Sequence, residues 1–249
     1  MKAIIEYNSR KIEINVSEPI DISIPIDMSK GKINAWGIDD PKIEVESFDG
    51  YEVSVANGAV VNFNSIQFNP HSHITHTECV GHITEKVYSV NKCLKHYLFL
   101  AEVVTVAPEQ IGDDFVISEK QLKTALRNKK RDAIVIRTLP NLSDKKAMRY
   151  FNTNPAYLSE DAAFYLVEKG IKHLLVDLPS VDKEKDDGNL LVHNAFWQTS
   201  GKMRMDATIT EFIYVPNNVE DGEYLLNLMI APFENDATPS KPILYKIVS

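Results

Sequence analysis

Hydrophobic residues recur at two different spacings along the chain, and the period changes near its middle. Residues 2–7 and 11–16 are β-rich and interleave isoleucine and valine with charged side chains, with Asn8-Ser9-Arg10 between them. That pattern predicts two short strands and a turn. Residues 19–26 alternate again, placing Asp21 and Ser23 on one face and the isoleucines on the other. Residues 27–50 lose the pattern among Asp, Lys, Gly and Pro and are expected to be irregular surface. Residues 53–68 return to β-like sequence around Asn57-Gly58, a strong hairpin signal. Another apolar run, 97–106, predicts a further strand.

Beyond it the period becomes helical. Ser118-x-x-Gln121 is a capping box ahead of Leu122, Ala125 and Leu126, predicting a helix that ends near Arg131. Residues 132–138 read as a buried strand. Ser159 caps a second helix, with Glu160 and Asp161 in its first turn and Ala163, Leu166 and Val167 on its inner face; Gly170 follows its end. Residues 173–177 predict the next strand. Helix, strand, loop, helix, strand over 118–177 implies an α/β unit with a partly parallel sheet. Strands are also expected at 208–215, 224–230 and 243–248. No repeat, low-complexity tract or long linker interrupts the chain. Residues 1–249 are therefore expected to form a single α/β domain, a mixed sheet with flanking helices, with 1–17 as an N-terminal strand extension.

Composition narrows the classes of function. A net charge of −8 argues against a nucleic-acid partner, which selects for a basic face. The one compact basic run, Lys129-Lys130-Arg131, is read as the solvated last turn of a helix. No apolar run approaches the roughly 20 residues that span a bilayer, so no membrane partner is expected. The first seven residues lack the apolar core of a signal peptide. Two cysteines, Cys79 and Cys93, make no CxxC pair, which fits a reducing cytoplasm. Cys79 is expected to be a packed thiol.

The candidate chemistry is concentrated in one segment. Four of the seven histidines, His71, His73, His76 and His82, fall within residues 70–82, with Glu78 among them. Imidazole and carboxylate are the usual ligands of zinc and related divalent ions. If the segment is extended, Ser72, His76, Glu78 and His82 share one face, and His71 and His73 point the other way. Such a set is half a metal site, so the other half must come from elsewhere. Trp36, in the irregular stretch, either packs on the core or lines a substrate cleft. Arg137, set among isoleucine and valine, needs a carboxylate partner if it is buried.

These segments together resemble the cyclase family, metal-dependent hydrolases that include kynurenine formamidases and isatin hydrolases. The family motif is His-x-Gly-Thr-His-x-Asp-x-Pro-x-His. Residues 72–82, Ser-His-Ile-Thr-His-Thr-Glu-Cys-Val-Gly-His, match it at Thr75, His76 and His82, with Glu78 in the place of Asp. Asp21-Ile22-Ser23, residues 132–138, Tyr157-Leu158-Ser159 and residues 177–182 resemble further family segments in the right order. The resemblance implies the cyclase-type fold, a swivelling β/β/α arrangement. It also implies metal binding by His76, Glu78, His193 and Glu211, with Ser72, His71 and His73 as alternative ligands. His82 would be the general acid/base. The implied cofactor is one or two divalent ions, zinc first and manganese second, and the implied substrate is a small molecule with a C–N amide bond. The family further implies a homodimer or homotetramer. Asp177 and Asp182 either orient ligands or end a strand and cap a loop.

The chain also departs from the motif. Ser72 stands where the family has its first histidine, which predicts that one of two ion positions is weakened or lost. Glu for Asp at 78 moves the carboxylate out by about 1.5 Å. Two readings follow, a working amidohydrolase and a non-catalytic small-molecule binding protein with a degenerate site.

Overall fold

The computed structural model describes residues 1–28 and 32–248. Eight strands share one sheet: Ile20–Asp21 (β1), His76–Glu78 (β2), Leu98–Val106 (β3), Ala133–Thr138 (β4), His173–Val176 (β5), Thr208–Glu211 (β6), Gly222–Ile230 (β7) and Ala237–Lys246 (β8). Their order is β7-β3-β4-β5-β6-β2-β8-β1, and β7 also pairs with β8. That last pairing closes seven strands into a barrel, with β1 added along β8. Strands β3 to β6 run parallel, and each step between them crosses over through a helix, as parallel neighbours require. The crossovers contain Glu119–Leu126, Glu160–Glu168 and Leu191–Trp197. The expected α/β class and mixed sheet with flanking helices are therefore observed.

Strand β4 shows how the sequence builds two layers from one run. All six of its residues are buried. Ile134 and Ile136 pack outward on Leu122, Leu126, Leu166 and Phe196 of the helices. Ala133 and Val135 point into the barrel, against Val103, Leu175, Leu226 and Leu244. Period-2 geometry on a fully buried strand thus feeds both cores at once. Arg137, at the end of the strand, donates to Asp221, Thr105 and the carbonyls of Pro216 and Val219. This is the partnered, structural role its burial demands.

The N-terminal hairpin pairs Lys2–Tyr7 with Arg10–Asn15. Asn8 and Ser9 both take positive φ, so the turn is two residues long and Arg10 belongs to the strand. Ile12 and Ile14 seat the hairpin on Leu100 and Leu225.

Several boundaries differ from expectation. The first crossover helix stops at Leu126, because Arg127 turns to φ 49°. The basic run after it is not a free surface: Lys129 and Arg131 clamp Glu102, which is 1 % exposed, at 2.5 and 2.9 Å. Strand β8 begins six residues earlier than 243, since Pro239 and Pro242 hid it. Within 27–50, Lys42–Val45 is a strand paired with Asn64–Gln67, and Ser47–Phe48 pairs with Tyr51–Glu52. Asn57-Gly58 is a turn, but it closes a short 3₁₀ segment rather than a hairpin. Residues 29–31 of that stretch lie outside the described residues. No helix among the described residues is long and apolar enough to cross a membrane.

Candidate metal centre

Strand β2 is three residues long, is buried throughout and lies between β6 and β8. Its register sets Glu211 of β6 opposite His76 and Ala237 of β8 opposite Glu78. His76 and Glu78 are two residues apart on a strand, so they share a face. Thr75 holds the approach to the strand: its hydroxyl donates to the Phe212 carbonyl and accepts from the amide of Ile24. After Glu78 the chain leaves the strand through a 3₁₀ turn, Val80–Ile83, which brings His82 back over the same carboxylate. Gly81 makes that turn possible. A Cβ there would sit 2.3 Å from the Tyr88 carbonyl oxygen, a backbone atom. Gly81→Ala is therefore expected to cost about 2–4 kcal/mol of stability, read by urea denaturation. An unchanged midpoint would mean the Tyr88 segment yields freely.

The segment before β2 is where the sequence reading goes wrong. Residues 70–73 form one helical turn, not an extended run. Asn69 caps it by accepting from the His71 amide, and Pro70 occupies the first helical position. Alternation therefore fails at 71–73. His71, expected to face away, points at Glu78, with Nδ1 3.2 Å from Oε2. Ser72, expected to face the cluster, is buried and donates to the Ala35 carbonyl at 2.9 Å. His73 turns toward the Asn69 amide and Asn34. Neither Ser72 nor His73 joins the cluster.

His193 arrives on Leu191–Trp197, a helix that sequence reasoning missed because its own N-cap position is Leu190, with no capping side chain. The cap is supplied from a distance: Asp182 accepts from the amides of Val192 and His193. The same carboxylate accepts from His193 Nδ1 at 2.5 Å. Asp182 thus both caps that helix and holds the His193 ring, whereas Asp177 binds Thr138 and Lys145. His193 Nε2 reaches Glu78 Oε1 at 3.1 Å, and His76 Nε2 lies 3.3 Å from Glu211 Oε2. His76, Glu78, His193 and Glu211, drawn from three separate parts of the chain, therefore meet. So does Asp236, just before β8, which no sequence signal marked. Its Oδ2 takes both His71 Nε2 at 3.0 Å and His82 Nδ1 at 3.2 Å.

The hydrogen bonds around the rim decide what the centre can hold. His76 Nδ1 bonds the Ile74 carbonyl, His193 Nδ1 bonds Asp182, and His71 Nε2 bonds Asp236. Each ring is held by an acceptor on its outer nitrogen, which leaves the inner nitrogen of the neutral ring as a lone pair aimed at carboxylate oxygen. His71 Nδ1, His76 Nε2 and Glu78 Oε2 are buried and have no hydrogen-bond partner. Acceptors facing acceptors in a buried space require either a second proton on the rings or a cation between them. The first state shows in the proton affinities. Burial works against the charged form of His71, but Asp236 and Glu78 outweigh it and raise the pKa to about 10. Burial likewise opposes His193, and Asp182 and Glu78 raise it to about 10. Burial would raise Glu78, yet His82, His193 and His71 hold it well below the carboxylate range. The second state is the arrangement of metal-bound histidines, whose outer N–H is fixed by a carboxylate or carbonyl. Ligand atoms of His71, His76 and Glu78 lie within 4.8 Å of one another, as do those of Glu78, His82 and His193. The donor set of imidazole and carboxylate therefore fits a divalent ion.

His82 differs from the other histidines of the cluster in being open, its side chain 30 % exposed against 0–20 % for the others. Trp36 takes positive φ, donates from its indole to the His71 carbonyl, and lines a shallow hollow with Tyr150, Pro179 and Asp182. Cys79 is fully buried and donates to the Tyr88 carbonyl, as a packed thiol should.

Comparison with known proteins agrees with this picture. The sequence model of the family described as "Putative cyclase" matches residues 20–183. A kynurenine formamidase of Bacillus mycoides (strain KBAB4) is 27% identical over 241 residues, covering 94% of this chain and all of that protein. Among solved structures, isatin hydrolase A from Ralstonia solanacearum superposes with a TM-score of 0.68 at 15% identity, covering 92% of this chain and 91% of the other. A potential metal-dependent hydrolase with cyclase activity gives a TM-score of 0.65 at 15% identity over 92% of this chain and 97% of that one. At such identities the structural matches establish the fold alone.

Proposed function

We propose, from the premise that this chain belongs to the cyclase family, that it is a metal-dependent hydrolase of a C–N amide bond in a small molecule. An arylformamide or a small cyclic amide is the substrate class that its relatives' names suggest. The observation that carries the reading is the set of buried acceptor atoms, His71 Nδ1, His76 Nε2 and Glu78 Oε2, that face one another without partners. In this reading His76, Glu78, His193 and Glu211 hold the ion or ions, zinc first and manganese second.

When bound, such an ion supplies an activated water and polarises the scissile carbonyl. The remaining work falls to the chain itself. Glu78 stays anionic among the histidines and balances part of the added charge. Asp182 and the Ile74 carbonyl fix the tautomers of His193 and His76. Val181 donates its amide to Glu211 Oε1 and so orients that carboxylate. His82 is the proton carrier: its Nδ1 rests on Asp236, Nε2 is 3.8 Å from Glu78 Oε2, and the side chain is partly open to solvent. It takes a proton from the attacking water and returns it to the departing nitrogen as the C–N bond breaks.

A second reading, a cyclase-fold binding protein with a degenerate site, draws on Ser72, which is tied to Ala35 where the family has a ligand. One experiment separates the two. Protein purified without chelator is expected to contain zinc or manganese and to hydrolyse members of an arylformamide panel. His82→Ala should lower kcat about 10²–10⁴-fold while the metal content stays unchanged. Absence of bound metal, together with no turnover after adding Zn²⁺ or Mn²⁺, would leave the binding-protein reading.

A further inference from the structure

We propose that His71 has taken over the ligand position vacated at Ser72, and that Asp236 is the carboxylate that holds His71 in the ligating tautomer and ties it to His82. This rests on the reading of the cluster as a metal centre and adds two residues to it. The mechanism of the exchange lies in the Asn69-Pro70 cap. In a helical turn successive side chains are rotated by about 100°, so a shift of one position changes which side chain faces Glu78. Here the turn aims residue 71 inward and residue 72 at the Ala35 carbonyl.

Four observations converge on His71. Its Nδ1 is buried, lacks a hydrogen-bond partner and lies 3.2 Å from Glu78 Oε2 without alignment for a bond. The atom it faces, Glu78 Oε2, is itself orphaned on a side chain with 0 % exposure. The His71 ring stands edge-on to His76 at 4.9 Å and stacked on His82 at 4.2 Å, so it completes the wall between ligand and proton carrier. Its outer Nε2 is 3.0 Å from Asp236 Oδ2, the carboxylate–histidine pair that makes an imidazole a better ligand. Because the same Asp236 oxygen also receives His82 Nδ1 at 3.2 Å, it fixes both rings relative to each other. Asp236 is a positioning residue, since it touches the cluster only through the histidines.

The test is ion binding rather than turnover. Zinc affinity is measured by competition with a chromophoric chelator, and the coordination sphere is read from the visible spectrum of the cobalt(II) protein. Wild type is expected to bind. His71→Ala should weaken zinc by at least about 100-fold and change the cobalt spectrum, and His71→Asn should do the same in a side chain nearer in shape. Asp236→Asn should weaken zinc about 10–100-fold, and Asp236→Glu should recover part of that loss. His73→Ala, on the same turn but facing Asn69, should change neither readout. If wild type binds while both His71 variants, folded by circular dichroism, keep zinc affinity within threefold and an unaltered cobalt spectrum, His71 is no ligand. If the His71 variants behave as expected but Asp236→Asn binds like wild type, the role given to Asp236 is overturned. Failure of wild type itself to bind zinc or cobalt would instead overturn the metal centre as a whole.

Discussion

Glu78→Gln is expected to abolish ion retention and to lower any amidase turnover by about 10³-fold or more. No other side chain of the cluster meets as many partners. One oxygen faces His193 at 3.1 Å; the other faces His71, His76 and His82 at 3.2, 3.9 and 3.8 Å. With an ion bound, it is the carboxylate all the imidazoles converge on. In ion-free protein it is the counter-charge for His71 and His193, whose raised proton affinity depends on it. Breaking a buried pair by removing one partner leaves the other uncompensated, at about 3–5 kcal/mol. The same substitution is therefore expected to destabilise the chelator-treated protein by a few kcal/mol, measured by urea unfolding at pH 6. A Glu78→Gln protein that binds zinc at full stoichiometry within tenfold of wild type would remove the central carboxylate from the scheme.

The second large effect concerns acid stability and has nothing to do with the metal. His173 opens β5, is 2 % exposed, bonds Thr208 Oγ1 through Nδ1 at 2.9 Å and packs on Phe99 with ring centroids 3.9 Å apart. Burial, aided by Lys172, pushes its pKa down to about 3. An unfolded histidine titrates near 6.5. Between those values the unfolded chain takes up a proton that the folded chain refuses. Stability is thus complete above pH 6.5 and falls as pH drops toward 3, by on the order of 4 kcal/mol from this one side chain. His173→Gln should flatten the dependence of the urea midpoint on pH between 6.5 and 4. Equal slopes in variant and wild type would assign the acid sensitivity to other groups.

What was legible in the sequence was whatever short-range chemistry decides. The Ser118 capping box and the Ser159 cap are both formed, and they start helices where predicted. The parallel core was visible as predominantly apolar runs at 98–106 and 133–138, interrupted only by Glu102, Thr105, Arg137 and Thr138. His76 and Glu78 share a face because they do lie on a strand. The failures share a cause: each local state is set by a distant partner or by an overlooked cap. Alternation misplaces His71 because Asn69-Pro70 is a helix start signal, so residues 70–73 turn instead of extending. The helix carrying His193 lacks a local cap because Asp182 provides it from ten residues away. Asp236 joins the cluster only through the closure of the barrel, which no stretch of sequence encodes by itself. The early start of β8 was masked by two prolines in a strand whose neighbours change partway along it.

That change of neighbours has a consequence for the order in which the barrel assembles. Residues 237–239 zip onto β2 while 240–246 zip onto β7, so the last strand of the sheet is the seam of the barrel. Asp236 sits at the head of that seam and holds two of the histidines. Until residues 236–246 dock, the parallel crossovers can pair among themselves, but His71 and His82 lack the Asp236 carboxylate. The histidine cluster is thus complete only once this strand has docked on both neighbours, and its assembly reports that the whole barrel has shut.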